Sequence, residues 1–175
     1  LKQRLASVGQ RPINLIVDIS NYVMLELGQP NHMFDAGTLG GKLVVRKANK
    51  AEVITTLDDQ ERELDPSMLV IAKDDKETVA VAGVMGGGNS EVDESTSAVI
   101  IEVANFEPIS IRKTSHALGL RTDASARFEK GLDPNLPELA MARIIELLQK
   151  ALPEAKVVGG LTDVGEWQEE RIVIE

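Results

Sequence analysis

Cysteine is absent from the 175 residues. That removes disulfides and any thiolate nucleophile, and it accords with a reducing, cytoplasmic compartment. Aromatic side chains are scarce: three Phe, one Trp and one Tyr. The core must be built from Val, Ile, Leu, Ala and Met, and a nucleic-acid surface of stacked aromatics is excluded. No apolar run is long enough to cross a bilayer, and no signal-peptide pattern opens the chain. Positive charge is in deficit. A net charge of -9 excludes a broad electrostatic grip on DNA, although a local basic patch against an RNA end remains compatible with it. Two histidines without cysteine make no plausible zinc site. No Gly-x-Ser-x-Gly is present, so a serine nucleophile is not expected, and a hydrolase built on this chain would position water for direct attack.

What remains is an ordinary globular composition, 43% hydrophobic and 27% charged, of a size for one large domain or two lobes sharing a core. The first residue is not Met, and the chain ends on the strand-like Arg171-Ile172-Val173-Ile174-Glu175, which suggests a piece of something longer.

Residues 1–10 carry little pattern. Asn14 is placed to cap a helix running through Leu15, Ile16, Ile19, Tyr22, Val23 and Leu27, with Gly28 and Pro30 ending it. Pro30 to Asp35 reads as a loop in which His32 and Asp35 are near enough to share a hydrogen bond. From Lys42 the period changes to alternation, giving short strands at 43–45, 53–57, 61–64, 68–72 and 78–85. Asp58-Asp59 and Asp74-Asp75-Lys76 supply hairpin turns. Helices are expected at Pro108–Leu118, Asp123–Lys130 and Pro137–Leu152, and late strands at Val157-Val158 and Ile172–Ile174. Strands first and helices after point to an α+β fold with mixed, largely antiparallel sheets, as two lobes around one core.

The run Ser97 to Phe106 is apolar on both alternations, the signature of a strand covered on both faces, yet Glu102 stands in its middle. A carboxylate there must find a partner or take up a proton. Two readings are open: a structural acid tied to a buried Arg or a backbone N–H, or an acceptor awaiting a ligand's donor. Gly83-Val84-Met85-Gly86-Gly87-Gly88 lacks the Lys-Ser/Thr of a phosphate loop, so it is either a tight turn after a strand or bare backbone close to a ligand. His32 is either structural or functional, and His116 reads as a solvated residue on a basic helix. Between Pro108 and Lys130, five basic residues (Arg112, Lys113, Arg121, Arg127, Lys130) face two acidic ones, Asp123 and Glu129. That is either an ordinary charged helix face or a patch for a nucleic-acid backbone.

Several long motifs fall in one order: Arg11-Pro12-Ile13-Asn14, Asp18-Ile19-Ser20-Asn21-Tyr22-Val23-Met24-Leu25-Glu26-Leu27-Gly28-Gln29-Pro30, His32, Phe34-Asp35, Ala82-Gly83-Val84-Met85-Gly86-Gly87, Leu118-Gly119-Leu120-Arg121-Thr122-Asp123-Ala124-Ser125 and Arg127-Phe128-Glu129-Lys130-Gly131-Leu132-Asp133-Pro134. Together they resemble the central editing region of bacterial phenylalanyl-tRNA synthetase beta subunits, from about Arg11 to Gly160. The resemblance implies a tRNA-editing domain over 1–165, with 166–175 a linker or the start of the next domain. It implies hydrolysis of tyrosine wrongly esterified to phenylalanine tRNA, with the tRNA acceptor end, the synthetase alpha subunit and other beta-subunit domains as partners. ATP and magnesium would serve the alpha subunit of the parent heterotetramer, and no cofactor is expected in this region. The family's site residues fall on Arg11, His32 and Thr122 at the reacting ester, and on Glu102, Gly86 and Ala124 at the amino-acid side chain. Seen so, Glu102 is expected to accept the tyrosine hydroxyl. Three rivals stand beside this reading: a noncatalytic RNA-docking or structural module of the synthetase, a free-standing relative that deacylates another aminoacyl-tRNA, and a generic acidic binding protein, which explains the composition but none of the motifs.

Overall fold

The computed structural model describes residues 1–165. A short helix α1 (Lys2–Ser7) precedes α2 (Leu15–Leu27), whose two ends follow the capping rules. Asn14 is extended and its side chain accepts the Val17 N–H at 2.9 Å, while Gly28, left-handed at φ 77°, donates its N–H to the Met24 carbonyl. The chain continues through β1 (His32–Asp35), α3 (Ala36–Leu39), β2 (Val44–Lys47), β3 (Glu52–Thr55), β4 (Glu61–Leu64), β5 (Leu69–Ala72), β6 (Thr78–Val81), β7 (Met85–Gly86) and β8 (Val99–Glu102). Helices α4 (Pro108–Ala117), α5 (Ser125–Phe128) and α6 (Leu136–Ala151) complete it. The architecture is α+β, as expected, and every strand pairing among the described residues is antiparallel.

The strands form three sheets among the described residues: a four-stranded sheet ordered β2-β5-β6-β7, a β3-β4 hairpin, and a two-stranded ribbon of β1 and β8. The ribbon is the wall between two apolar layers. Met33, Val99 and Ile101 on one face pack with Ile19 and Val23 of α2 and with Ala140, Ile144 and Leu148 of α6. Phe34 and Ile100 on the other face pack with Ile71, Val79, Ala80 and Ala82 of the large sheet. Phe106 joins that layer to a further cluster around Ile111, Leu120 and Phe128, so the core is continuous. A strand alternating between two such layers packs apolar side chains on both faces, which is why residues 97–106 read as apolar on both alternations.

Several expectations need correction. Residues 1–10 include a helix; Leu5 is its sole buried residue, too few to leave a period in the sequence. Residues 32–35 form a strand, since β8 requires a hydrogen-bonding partner from elsewhere in the chain. His32 and Asp35 therefore point to opposite faces and do not share a hydrogen bond. Asp35 caps α3 by accepting from Gly37 and Thr38 N–H, and it accepts from the Thr96 hydroxyl at 2.6 Å. Val157 and Val158 are exposed and belong to no strand. The strand expected at Ile172–Ile174 lies outside the described residues.

One ion pair sits where the small hairpin meets the large sheet. Arg46 and Glu52 meet at 2.7 Å with side chains only 14% and 7% exposed, and Glu52 also accepts from Thr78 Oγ1 and the Asn49 N–H. The Arg46 guanidinium first, then the Thr78 and Asn49 donors, hold the Glu52 carboxyl down at about 2 against the opposing effect of burial. Arg46→Met leaves this acid without its counter-charge and should destabilise the fold by about 3 kcal/mol in urea unfolding at neutral pH. The folded pKa lies below the ordinary 4.5, so the stability from ionised Glu52 is complete above that pH and is lost as pH falls toward about 2. The thermal midpoint should therefore drop across this acid interval in the parent and drop less in Glu52→Gln.

Candidate functional site

Antiparallel register sets His32 directly opposite Glu102, so the two side chains leave the ribbon on one face as cross-strand neighbours. Both retain some accessible surface, yet protein atoms crowd around them on most sides. Burial alone pushes the His32 imidazole down to about 4 and the Glu102 carboxyl up to about 7. Among the described residues no hydrogen bond or ion pair engages the Glu102 carboxylate. The most deeply placed arginines are occupied elsewhere, Arg46 on Glu52 and Arg62 on Asp58. The reading of Glu102 as one half of an internal ion pair is thus removed. His32 stands edge-on to Phe34, with ring centroids 4.4 Å apart.

The glycine run completes this corner. Gly83 has φ 67° and turns the chain between β6 and β7, where a Cβ would lie 2.8 Å from Ile111 Cδ1 and 2.9 Å from Phe106 Cδ2. Gly86 is needed for a different reason: a Cβ there would lie 2.7 Å from His32 Cε1 and 2.9 Å from Nε2. The imidazole rests against bare backbone. The adjoining main chain is spent on structure, with the Gly86 carbonyl accepting from Leu57 N–H at 3.0 Å and the Gly87 N–H donating to Val79 at 2.7 Å. Both sequence alternatives for the run hold in part, a tight turn at Gly83 and a close approach at Gly86.

Thr122 and Ala124 attach to the same corner through Val84. The Thr122 hydroxyl donates to the Val84 carbonyl at 2.8 Å and accepts the Ser125 N–H at 3.0 Å, while Ala124 packs against the core cluster that includes Val84. A hydroxyl in that arrangement keeps one acceptor lone pair free. Arg11 is exposed and its neighbours are pinned on both sides. Gln10 donates to Asp123 at 2.8 Å, and Ile13 N–H donates to the buried Asp18 at 2.8 Å. The fold thus sets His32 against Gly86 and opposite Glu102, ties Thr122 to the Val84 carbonyl just before β7, packs Ala124 on the core cluster that contains Val84, and holds Arg11 next to the Gln10 bonded to Asp123. His116 is exposed on α4 and takes no part in this corner.

Sequence reasoning missed three contributors. Phe34 follows His32 by two residues and would have been found had residues 32–35 been read as a strand. Gln29, fully buried, donates to the Pro30 and Ala104 carbonyls and so clamps the chain before His32 to the chain after Glu102. Leu57 reaches Gly86 from the β3-β4 hairpin, and no local pattern announces such a contact.

The chain carrying this pair has counterparts among known proteins. A family model described as the B3/4 domain matches residues 1–153. The phenylalanine–tRNA ligase beta subunit of Clostridium acetobutylicum is 47% identical over 176 residues, covering 100% of this chain and 22% of that protein. The beta subunit from Staphylococcus aureus is 53% identical over 150 residues, covering 85% of this chain and 19% of its own length. The one from Carboxydothermus hydrogenoformans is 58% identical over 134 residues, covering 76% and 17%. These names agree with the resemblance carried by the motifs, and the chain spans about a fifth of the length of the relatives it matches. From the match over residues 1–153, the chain belongs to the B3/4 domain family.

Proposed function

We propose that this chain is the editing part of a phenylalanine–tRNA ligase beta subunit and hydrolyses the ester of tyrosine mischarged onto phenylalanine tRNA. The observation that carries the reading is Glu102: a half-buried carboxyl with no partner among the described residues, directly opposite the His32 that rests on the Gly86 backbone. Tyrosine exceeds phenylalanine by one hydroxyl, and that hydroxyl is the donor such an acid lacks. A site built to hydrogen-bond it disfavours the ring without it by a factor on the order of 10⁴, because the buried acceptor then stays unpaired. The names of the relatives support the parent enzyme, a phenylalanine–tRNA ligase beta subunit. Charging itself, with ATP and magnesium, falls to the alpha subunit in the proposed parent assembly.

Glu102 and Gly86 form the side-chain end of the site, with Ala124 on its wall, and Glu102 acts in specificity. His32, Thr122 and Arg11 handle the ester end. With its pKa near 4, His32 is neutral at physiological pH, offering one N–H donor and one nitrogen acceptor. Such an imidazole is a weak base and serves mainly to hold the attacking water in line. Thr122 uses its remaining lone pair to accept from the water or a ribose hydroxyl, and Arg11 meets the negative end of the nucleotide. Water adds to the ester carbonyl, the carbon–oxygen bond to ribose breaks, and the ribose oxygen leaves with a proton, assisted by the neighbouring ribose hydroxyl.

Kinetics on Tyr-tRNA and Phe-tRNA test the assignment. Glu102→Ala should lower the Tyr/Phe ratio of kcat/KM at least about 100-fold. His32→Ala should lower kcat for the tyrosyl ester about 100-fold. Parental rates in both variants would sink the proposal. The pH profile gives a second check. Glu102 ionises as pH rises through about 7, and the ionised carboxylate is the stronger acceptor. The Tyr/Phe ratio should therefore rise with pH around neutrality, and in Glu102→Gln it should stay flat. Gly86→Ala offers a third. Its new methyl meets the far ends of His32 and Leu57, so the imidazole must shift from its place and kcat/KM should fall about tenfold. Gly83→Ala, at positive φ and against Ile111 and Phe106, should instead cost about 1–3 kcal/mol of stability.

A further inference from the structure

We infer that a basic recess beside α4 holds the phosphates of a single RNA strand whose end is presented to the His32–Glu102 corner; this rests on the proposed handling of a charged RNA end. The recess has a volume of about 800 Å³ and is lined by Arg112, Ser115, His116, Gly119, Arg121, Glu129 and Lys130. That volume lies in the ~300–1,000 Å³ range of ordinary ligand sites. Its charge is out of character for the molecule. Arg112, Arg121 and Lys130 face one acid, Glu129, in a chain of net charge -9. The pairing of Arg121 with Glu129 at 3.1 Å leaves that arginine 75% exposed, and Arg112 and Lys130 are exposed as well. The bland account, cations offsetting the negative C-terminal end of α4, absorbs only about half a unit charge. The remaining excess is available to an anion.

Position selects a nucleic-acid strand among anions. Arg121 immediately precedes Thr122, whose hydroxyl is fixed to Val84, two residues before the Gly86 that carries His32. Phosphates held in the recess would therefore lie one residue along the backbone from the ester end of the site. The acidic balance of the remaining surface repels a polyanion elsewhere, so the strand is held locally and reversibly. Ser115 adds no free donor, because its hydroxyl is bonded to the Leu120 carbonyl. The contact is with the backbone and reads no sequence.

Fluorescence anisotropy of the 175-residue chain with a short labelled single-stranded RNA, uncharged, tests this without requiring ester hydrolysis. Arg112→Ala/Lys130→Ala changes only exposed side chains, and circular dichroism should show the fold intact. The double variant should bind about tenfold more weakly at low salt, with the slope of log affinity against log salt shallower by about 1.4. Lys42→Ala/Lys50→Ala, with the same charge change outside the recess, should bind as the parent does. Parental affinity in the recess variant, equal loss in the control, or no RNA binding by the parent would overturn the inference. So would inorganic phosphate titrating the recess while RNA does not bind, which would mark a free-anion site. The editing proposal can fail separately, through parental deacylation by Glu102→Ala and His32→Ala, while the recess variant still loses RNA.

Discussion

One cross-strand pair constrains the rest of the molecule. Placing His32 opposite Glu102 on a ribbon covered on both faces puts two titratable groups where water is scarce, and each is driven toward its neutral form. Holding that arrangement needs α2 and α6 on one side, the large sheet on the other, and Gln29 tying the strand ends together. Glycine at position 86 follows from the same requirement, since any side chain would occupy the space of the imidazole.

Titration makes the two groups oppose one another in stability. Glu102 holds its proton more tightly folded than unfolded, so rising pH between about 4.5 and 7 costs the fold stability. His32 holds its proton less tightly folded than unfolded, so falling pH from about 6.5 to 4 costs stability. Over the interval both share, the two contributions cancel in part. A lone buried acid would make the fold progressively weaker toward neutrality; the adjacent imidazole offsets that slope through the shared part of the range.

What could be read from the chain follows the range of the forces involved. The boundaries of α2 were legible because Asn14 and Gly28 act within one helical turn. Glu102 was legible because its burial is written in its immediate neighbours. Its freedom from an internal partner was not, because that depends on where Arg46 and Arg62 go, and they belong to a different sheet and hairpin. Strand β1 was missed since four residues with two polar ends carry no alternation of their own; pairing with β8, nearly seventy residues later, makes them a strand. Asp35 was misassigned for the same reason, because a strand sends it away from His32 and toward the start of α3. Leu57 had no local signal at all. The six residues suggested by resemblance meet to different degrees: His32 adjoins Gly86 and faces Glu102, Thr122 is bonded to Val84, Ala124 packs on the neighbouring core cluster, and only the neighbours of Arg11 are fixed.

An unpartnered acid also couples occupancy to folding. Glu102 keeps some contact with solvent, yet it loses part of its hydration on folding and no protein donor among the described residues makes up that part. A ligand hydroxyl that reaches the carboxyl recovers that loss only in the folded state, so binding stabilises the fold by mass action. A ring lacking the hydroxyl recovers none of it, although its apolar contacts are otherwise the same. Selectivity on the proposed reading therefore arises from a deficit already present in the empty protein: the hydroxyl is recognised by what the fold lacks without it.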